Sequence, residues 1–122
     1  MSVITPFTLE NSAGVQLSFP STRPALVCFI KEDCPTCRLV LPVLAAIHDS
    51  LARELDFFIG GQTRSGNSLL MSEFTPPFNL LDDSALKVSF TNDIEIVPQV
   101  FLTDSEGRVL VCLLYTSDAA DD

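Results

Sequence analysis

Six consecutive apolar residues, Ala25, Leu26, Val27, Cys28, Phe29 and Ile30, constrain this chain more than any other stretch. A half-exposed strand would alternate polar and apolar residues. An unbroken apolar run of this length instead reads as a central strand covered on both faces. Such a strand needs neighbours at its edges and layers above and below it. A chain of 122 residues is long enough to build one domain of that kind with a real core. With 47% hydrophobic and 19% charged residues, the composition is globular rather than disordered.

The period changes after the strand. Val40, Leu44, Ile47, Leu51 and Leu55 recur at helical spacing and predict a helix from Pro35 to about Glu54. Pro42 should kink it, because its ring displaces a backbone hydrogen bond. "LDFFIGG" predicts a second apolar strand, and "SGNSLLMSEF" a short helix opened by a serine cap. "PFNLL" reads as a short extended run, and "DDSALKVSF" as a weak helix behind Asp82–Ser84. Two hairpins frame this alternation. "FTLENSAGVQLSF" turns around Asn11–Gly14, and "PQVFLTDSEGRVLV" turns at Asp104–Gly107. Pro20 and Pro24 bracket a loop. The order predicts an α/β domain, a mixed central sheet flanked by helices with an N-terminal hairpin. Phe7, Phe19, Phe29, Phe57, Phe58 and Phe101 are assigned to the core, Cys28 to a small core position and His48 to the surface.

The formal charge of −9, with no basic cluster, argues against nucleic acid as a partner. The longest apolar stretches are far too short to span a bilayer. The N-terminus has neither a basic start nor an apolar core of signal-peptide type, so the chain reads as cytoplasmic from Met1. A start further upstream would open an extracytoplasmic location.

"KEDCPTCRLVLP", Lys31 to Pro42, carries the chemistry. Cys34 lies where the apolar strand ends and the helix begins, and Pro35 suits the first helical turn, where a missing N–H costs nothing. The Cys34 sulfur therefore faces unpaired backbone N–H groups and the positive end of the helix dipole, both of which favour a thiolate. Cys37 follows one turn later on the same side, within reach of a mixed disulfide at Cys34, as thiol–disulfide exchange requires. A zinc site would need two further ligands; with Cys112 in a tail that reads as non-native, only His48 and the mid-strand Cys28 remain, so no metal is expected. Two inert core thiols fit poorly with the polar "KED" ahead of the pair.

With that motif, Pro42 five residues after Cys37 and "IVPQVFLTDSEGRVLV", the chain resembles the thioredoxin superfamily in its TlpA/redoxin branch. The opening "FTLENSAGVQLSF" is similar to the N-terminal hairpin of that branch, and the resemblance covers Phe7 to Val111. It implies a thioredoxin-like fold and a thiol–disulfide oxidoreductase working on a disulfide-containing protein or a dithiol electron donor, with no cofactor beyond the redox-active Cys34–Cys37 disulfide. Cys34 would be the nucleophile and Cys37 the resolving thiol, with Pro35 and Thr36 as the motif residues between them. Pro98 would be the cis-proline facing the pair, leaving the Val97 backbone free to bind substrate peptide.

The chain also departs from the family. Asp33 stands where tryptophan usually precedes the first cysteine, and Cys28 stands where ordinary thioredoxins carry a buried acid. Glu32 and Asp33 beside Cys34 oppose the helix dipole and Lys31 partly offsets them, which predicts a poise toward the reducing end. Two other functions compete. A peroxiredoxin-like peroxidase needs Thr-x-x-Cys, but Cys34 occupies the Thr place. A metal carrier of this fold uses Cys-x-x-x-Cys with a distant histidine, and neither is present; an interaction domain on the same scaffold is the other non-enzymatic reading.

The end of the chain reads differently. Cys112–Asp122, "CLLYTSDAADD", resembles at every position the translation of a transposase-type sequencing-library adapter. The rival reading is a natural strand with an acidic tail. The adapter reading makes residues 1–111 a C-terminally truncated domain that lacks its final helix, and residues 112–122 a non-native tail. Setting that tail aside leaves three cysteines and raises the formal charge to −6.

Overall fold

The structure, a computed structural model, describes residues 3–114. β1 (Phe7–Glu10) and β2 (Gln16–Phe19) form the expected antiparallel hairpin, with Phe7 opposite Phe19. Asn11 closes its turn by accepting the N–H groups of Ala13 and Val15 on one side-chain oxygen, each at 2.9 Å. Gly14 follows at φ 83°, a backbone region that costs glycine nothing.

The central sheet has the order β5-β4-β3-β6-β7. β3 (Ala25–Ile30) runs parallel to β4 (Asp56–Gly61) and antiparallel to β6 (Gln99–Thr103). β5 (Leu81–Asp82) extends the parallel edge, and β7 (Val109–Leu114) pairs antiparallel with β6 at the other edge. The parallel return from β3 to β4 needs a crossover, which α1 (Pro35–Leu51) supplies. α2 (Arg64–Phe74) and α3 (Lys87–Thr91) complete the layers.

All six residues of β3 are buried because alternate side chains enter different cores. Leu26, Cys28 and Ile30 pack with Cys37, Val40, Leu41 and Leu44 of α1 and Leu70 of α2. Ala25, Val27 and Phe29 pack on the opposite face with Phe19, Phe58 and Phe101. There the Phe7 and Phe19 rings stack at 5.2 Å and Phe58 meets Phe19 edge-on at 5.3 Å.

Several local expectations change. α1 ends at Leu51 rather than near Glu54, and it continues through Pro42. α2 is capped by Thr63, not by Ser65, because Thr63 has the extended backbone a cap requires and its hydroxyl accepts the Gly66 N–H at 3.1 Å. In "PFNLL" the ladder begins only at Leu81, which pairs with Gly60. α3 is delayed to Lys87 because the buried Asp83 carboxylate takes up its first donors, accepting from the backbone N–H groups of Val88 and Ser89 and from the Ser89 hydroxyl. His48 is not a free surface side chain. It lies half-buried, edge-on to Phe57 at 4.8 Å and to Phe78 at 5.8 Å.

The apolar side of α1 is only partly covered. Val40 and Leu44 are buried, but Leu51 is 40% exposed. An open groove of about 430 Å³ runs between this side of the helix and the sheet, lined by Leu26, Val40, Leu44, Ile47, Leu102 and Val111 among others.

Candidate functional site

The two cysteines of the motif sit at the junction of β3 and α1. Cys34 is the N-cap of α1, with extended backbone (φ −97°, ψ 113°), and Pro35 follows in the first turn. Its Sγ accepts the Cys37 N–H at 3.1 Å, so the sulfur takes the place that a serine or aspartate oxygen holds in most caps. That position exposes Cys34 to the orphan N–H groups and positive dipole of a 17-residue helix. Cys34 is half-buried, whereas Cys37 is 0% exposed. Pro35 is exposed and Thr36 half-buried, so the motif presents its Cys34 end outward.

The two sulfurs have different surroundings. The Cys37 Sγ accepts the Lys31 N–H at 3.4 Å, yet its thiol is pushed strongly up, first by burial and then by its hydrogen bond to Cys34. Cys28, on β3 in the same core cluster as Cys37, is also pushed strongly up, by burial first and by Cys37 second. At neutral pH both are therefore thiols. All four cysteines are free.

Opposite the pair, the Val97–Pro98 peptide is cis, as is Phe19–Pro20. The Cys34 thiol donates to the Val97 carbonyl at 3.6 Å. Pro98 is buried and Val97 half-buried, and both Cys34 and Val97 pack against the core beneath α1. Residues 63 positions apart in sequence thus meet at one point.

The acidic loop does not act as a unit. Asp33 extends outward with its side chain 68% exposed, 3.8 Å from the Lys31 ammonium. Glu32 turns the other way, where its carboxylate accepts the Thr63 hydroxyl at 2.7 Å. That bond, ahead of the Glu32 backbone and the cations Lys31 and Arg38, holds the Glu32 carboxyl below the usual range. Asp33, not Glu32, is the carboxylate whose charge contributes to raising Cys37.

Sequence reasoning missed the surroundings of Glu32. Arg38 donates its Nε–H to the Glu32 carbonyl at 2.9 Å and forks onto Glu73 at 2.8 and 3.4 Å. The signals were faint: a threonine three residues ahead of Gly66, and an arginine directly behind Cys37. Among the described residues, no three His, Cys, Asp or Glu side chains converge as a metal ion would require, and no helix is long and apolar enough to cross a membrane.

No family model matches the sequence, and no curated protein matches it. Solved structures do. The thioredoxin domain of a thiol-disulfide oxidoreductase from Bacteroides vulgatus superposes with a TM-score of 0.83 at 20% identity, over 98% of this chain and 91% of that one. StoA from Bacillus subtilis gives 0.81 at 17% identity, over 93% and 90%. A secreted Mycobacterium tuberculosis disulfide oxidoreductase, homologous to E. coli DsbE, gives 0.79 at 16%, over 91% and 84%. Likeness at these identities is likeness of fold. The chain has the thioredoxin-like fold, with a mixed five-stranded sheet and an N-terminal antiparallel hairpin.

Proposed function

We propose that the protein is a thiol–disulfide oxidoreductase that exchanges a disulfide with a protein or dithiol partner through Cys34 and Cys37. The observation that carries this reading is the asymmetry of the pair. A half-buried Cys34 sulfur caps α1 by accepting the Cys37 backbone N–H at 3.1 Å, while the Cys37 side chain itself is fully buried one turn behind it.

In the reducing direction, the Cys34 thiolate attacks one sulfur of the partner's disulfide. A mixed disulfide forms and the partner's other sulfur leaves as a thiolate. Cys37 then gives up its proton and attacks Cys34 Sγ, releasing the second partner thiol and closing the Cys34–Cys37 disulfide. Two electrons pass from the pair to the partner. The elevated Cys37 pKa keeps this thiol idle until the mixed disulfide has formed, because the thiolate is the nucleophile. The Val97 carbonyl, already within reach of Cys34, serves as a backbone acceptor for an extended partner segment. Of the two compartments, the secreted Mycobacterium relative supports the extracytoplasmic one.

Turnover of insulin disulfides with a dithiol donor tests the reading. Cys34→Ser is expected to lose activity by several orders of magnitude while keeping its fold, because the attacking thiolate is gone. Wild type and Cys34→Ser equally inactive with dithiol donors would overturn the proposal. So would peroxide consumption or metal retention in place of disulfide exchange.

We also infer a boundary at Val111, with residues 1–111 the thioredoxin-like domain and 112–122 adapter-derived. The residue-by-residue likeness of the tail supports it, and so does the open groove beside Val111. Cys112 nonetheless pairs with Phe101 in β7, because any apolar segment in register extends an edge strand. Reading the gene across this junction checks the boundary, and an unchanged "CLLYTSDAADD" would remove it.

A further inference from the structure

The redox loop is held from outside its own helix. The Glu32 carboxylate lies over Gly66, in space that exists only because Gly66 has no side chain. A Cβ there would collide with the carboxylate and with Thr63 Oγ1. The Thr63 hydroxyl donates to Glu32 at 2.7 Å and at the same time accepts the Gly66 N–H at 3.1 Å, so one side chain caps α2 and anchors the loop. At the other end of α2, Glu73 holds the Arg38 fork and Phe74 lies beneath the guanidinium, 5.9 Å from ring centre to Cζ. Arg38 in turn donates to the Glu32 carbonyl. The 11-residue α2 thus grips the residue 32 side chain through its N-cap Thr63, and steadies the residue 32 main chain indirectly, through the α1 side chain Arg38 that Glu73 and Phe74 hold.

Residue 32 is flanked by the groups that face the sulfurs. Lys31 donates its N–H to Cys37 Sγ at 3.4 Å, and its carbonyl accepts the Cys34 N–H at 3.2 Å. These contacts belong to the dithiol form, in which both cysteines are free. Releasing Glu32 loosens the Lys31 peptide and weakens the donor on the buried Cys37 sulfur. The dithiol form then rises in free energy relative to the disulfide.

We propose that α2 positions the Cys34–Cys37 loop through Glu32, with Thr63 and Arg38 as the grips, and so biases the pair toward its dithiol form. The inference rests on the oxidoreductase reading above and makes Glu32 a positioning residue that acts by its hydrogen bonds rather than by its charge.

The two accounts, bracing and charge, separate in one experiment. The full chain is equilibrated in glutathione buffers of varied ratio, and the Cys34–Cys37 disulfide fraction is measured by mass after alkylation. Glu32→Ala and Thr63→Val are each expected to shift the equilibrium at least about threefold toward the disulfide, or about 14 mV at 29.6 mV per tenfold. Glu32→Gln, which keeps an acceptor for Thr63, and Thr63→Ser, which keeps the donor, should stay within about 1.5-fold of wild type on the same scale. A Glu32→Gln shift toward the disulfide as large as that of Glu32→Ala would show that the Thr63 hydrogen bond is not what holds the pair and would overturn the brace; a shift of either variant toward the dithiol would assign the effect to charge and overturn it too. Unshifted Glu32→Ala and Thr63→Val would overturn it as well. A wild type that forms no Cys34–Cys37 disulfide at any ratio would instead bring down the oxidoreductase reading itself. A wild type that titrates beside variants that do not move brings down the brace alone.

Discussion

On one face of β3, Ala25, Val27 and Phe29 lie under a layer of phenylalanines closed by the β1–β2 hairpin. On the other, Leu26, Cys28 and Ile30 lie under α1 together with Cys37, and a groove of about 430 Å³ stays open beside them. The strand is the same and every residue on it is buried, yet the two layers differ in kind. The first is held mainly by apolar packing, its rings joined by Ile4, Leu81, Val88 and Ile94, with the buried Asp83 hydrogen bonds to Val88 and Ser89 at its margin. The second places a thiol in the core and holds the neighbouring loop by hydrogen bonds to Thr63 and Arg38. Packing makes a rigid platform but cannot aim a sulfur. The Cys34–Cys37 pair stands on the face with the Thr63 and Arg38 contacts, and the aromatic face supports the sheet from behind.

The sharpest way to break this contrast is to damage the aromatic face. Phe19 is 2% exposed and touches both Phe7 and Phe58. Phe19→Ala is expected to cost about 3–5 kcal/mol, the usual loss for a large buried ring. Urea unfolding measures that loss, and the glutathione equilibrium of Cys34 and Cys37 should not move. A shifted equilibrium would show that the two faces are coupled and that the division drawn between them is wrong.

A smaller effect marks the site face by its pH dependence. Cys28 keeps its proton in the folded chain because burial pushes its thiol up. In the unfolded chain a cysteine ionises near pH 8.5, and one pKa unit is about 1.4 kcal/mol. Above that pH the folded state binds more protons than the unfolded state, so stability must fall as pH rises. Below it the contribution is fully present. Wild type should lose about 1 kcal/mol between pH 8.5 and 9.5 for each such thiol, Cys28 and Cys37, with the slope approaching about 1.4 kcal/mol per pH unit at higher pH. Cys28→Val should halve that slope in urea midpoints taken between pH 8.5 and 9.5. Phe19→Ala should lower stability at every pH and leave the slope alone. Equal slopes for wild type and Cys28→Val would remove Cys28 from the account.

How much of this was legible beforehand follows from the range of each signal. The hairpins, β3, β4 and the start of α1 are written in local patterns, such as Asn11–Gly14 or the run Ala25–Ile30. The pairing of Cys34 with Val97 was reachable only through the family likeness, because nothing local links residues 63 positions apart. The roles of Thr63 and Asp83 were not legible. Each is a polar side chain whose partner is a backbone donor in the helix that follows it, and Ser65 offered a cap signal of equal strength. Glu32 and Asp33 look alike in sequence. Only the space over Gly66 explains why one folds toward α2 and the other stays in solvent.

The smallest expected effect lies within α1, between adjacent residues. Leu44 is 2% exposed and reaches the core, whereas Val43 is 52% exposed at the rim of the groove. If the groove is open in solution, Val43 already faces water on one side and has little burial to lose. Val43→Ser should then change stability by no more than about 0.5 kcal/mol, as surface substitutions do. Leu44→Ala, one position on, should cost about 2–5 kcal/mol from lost transfer energy and the cavity left behind. Both are read from the same urea curves. A Val43→Ser cost above about 1 kcal/mol, outside the surface range, would mean that the groove is filled in solution. The site face would then be as fully closed as the aromatic one, and the contrast between them would narrow to their polar contacts alone.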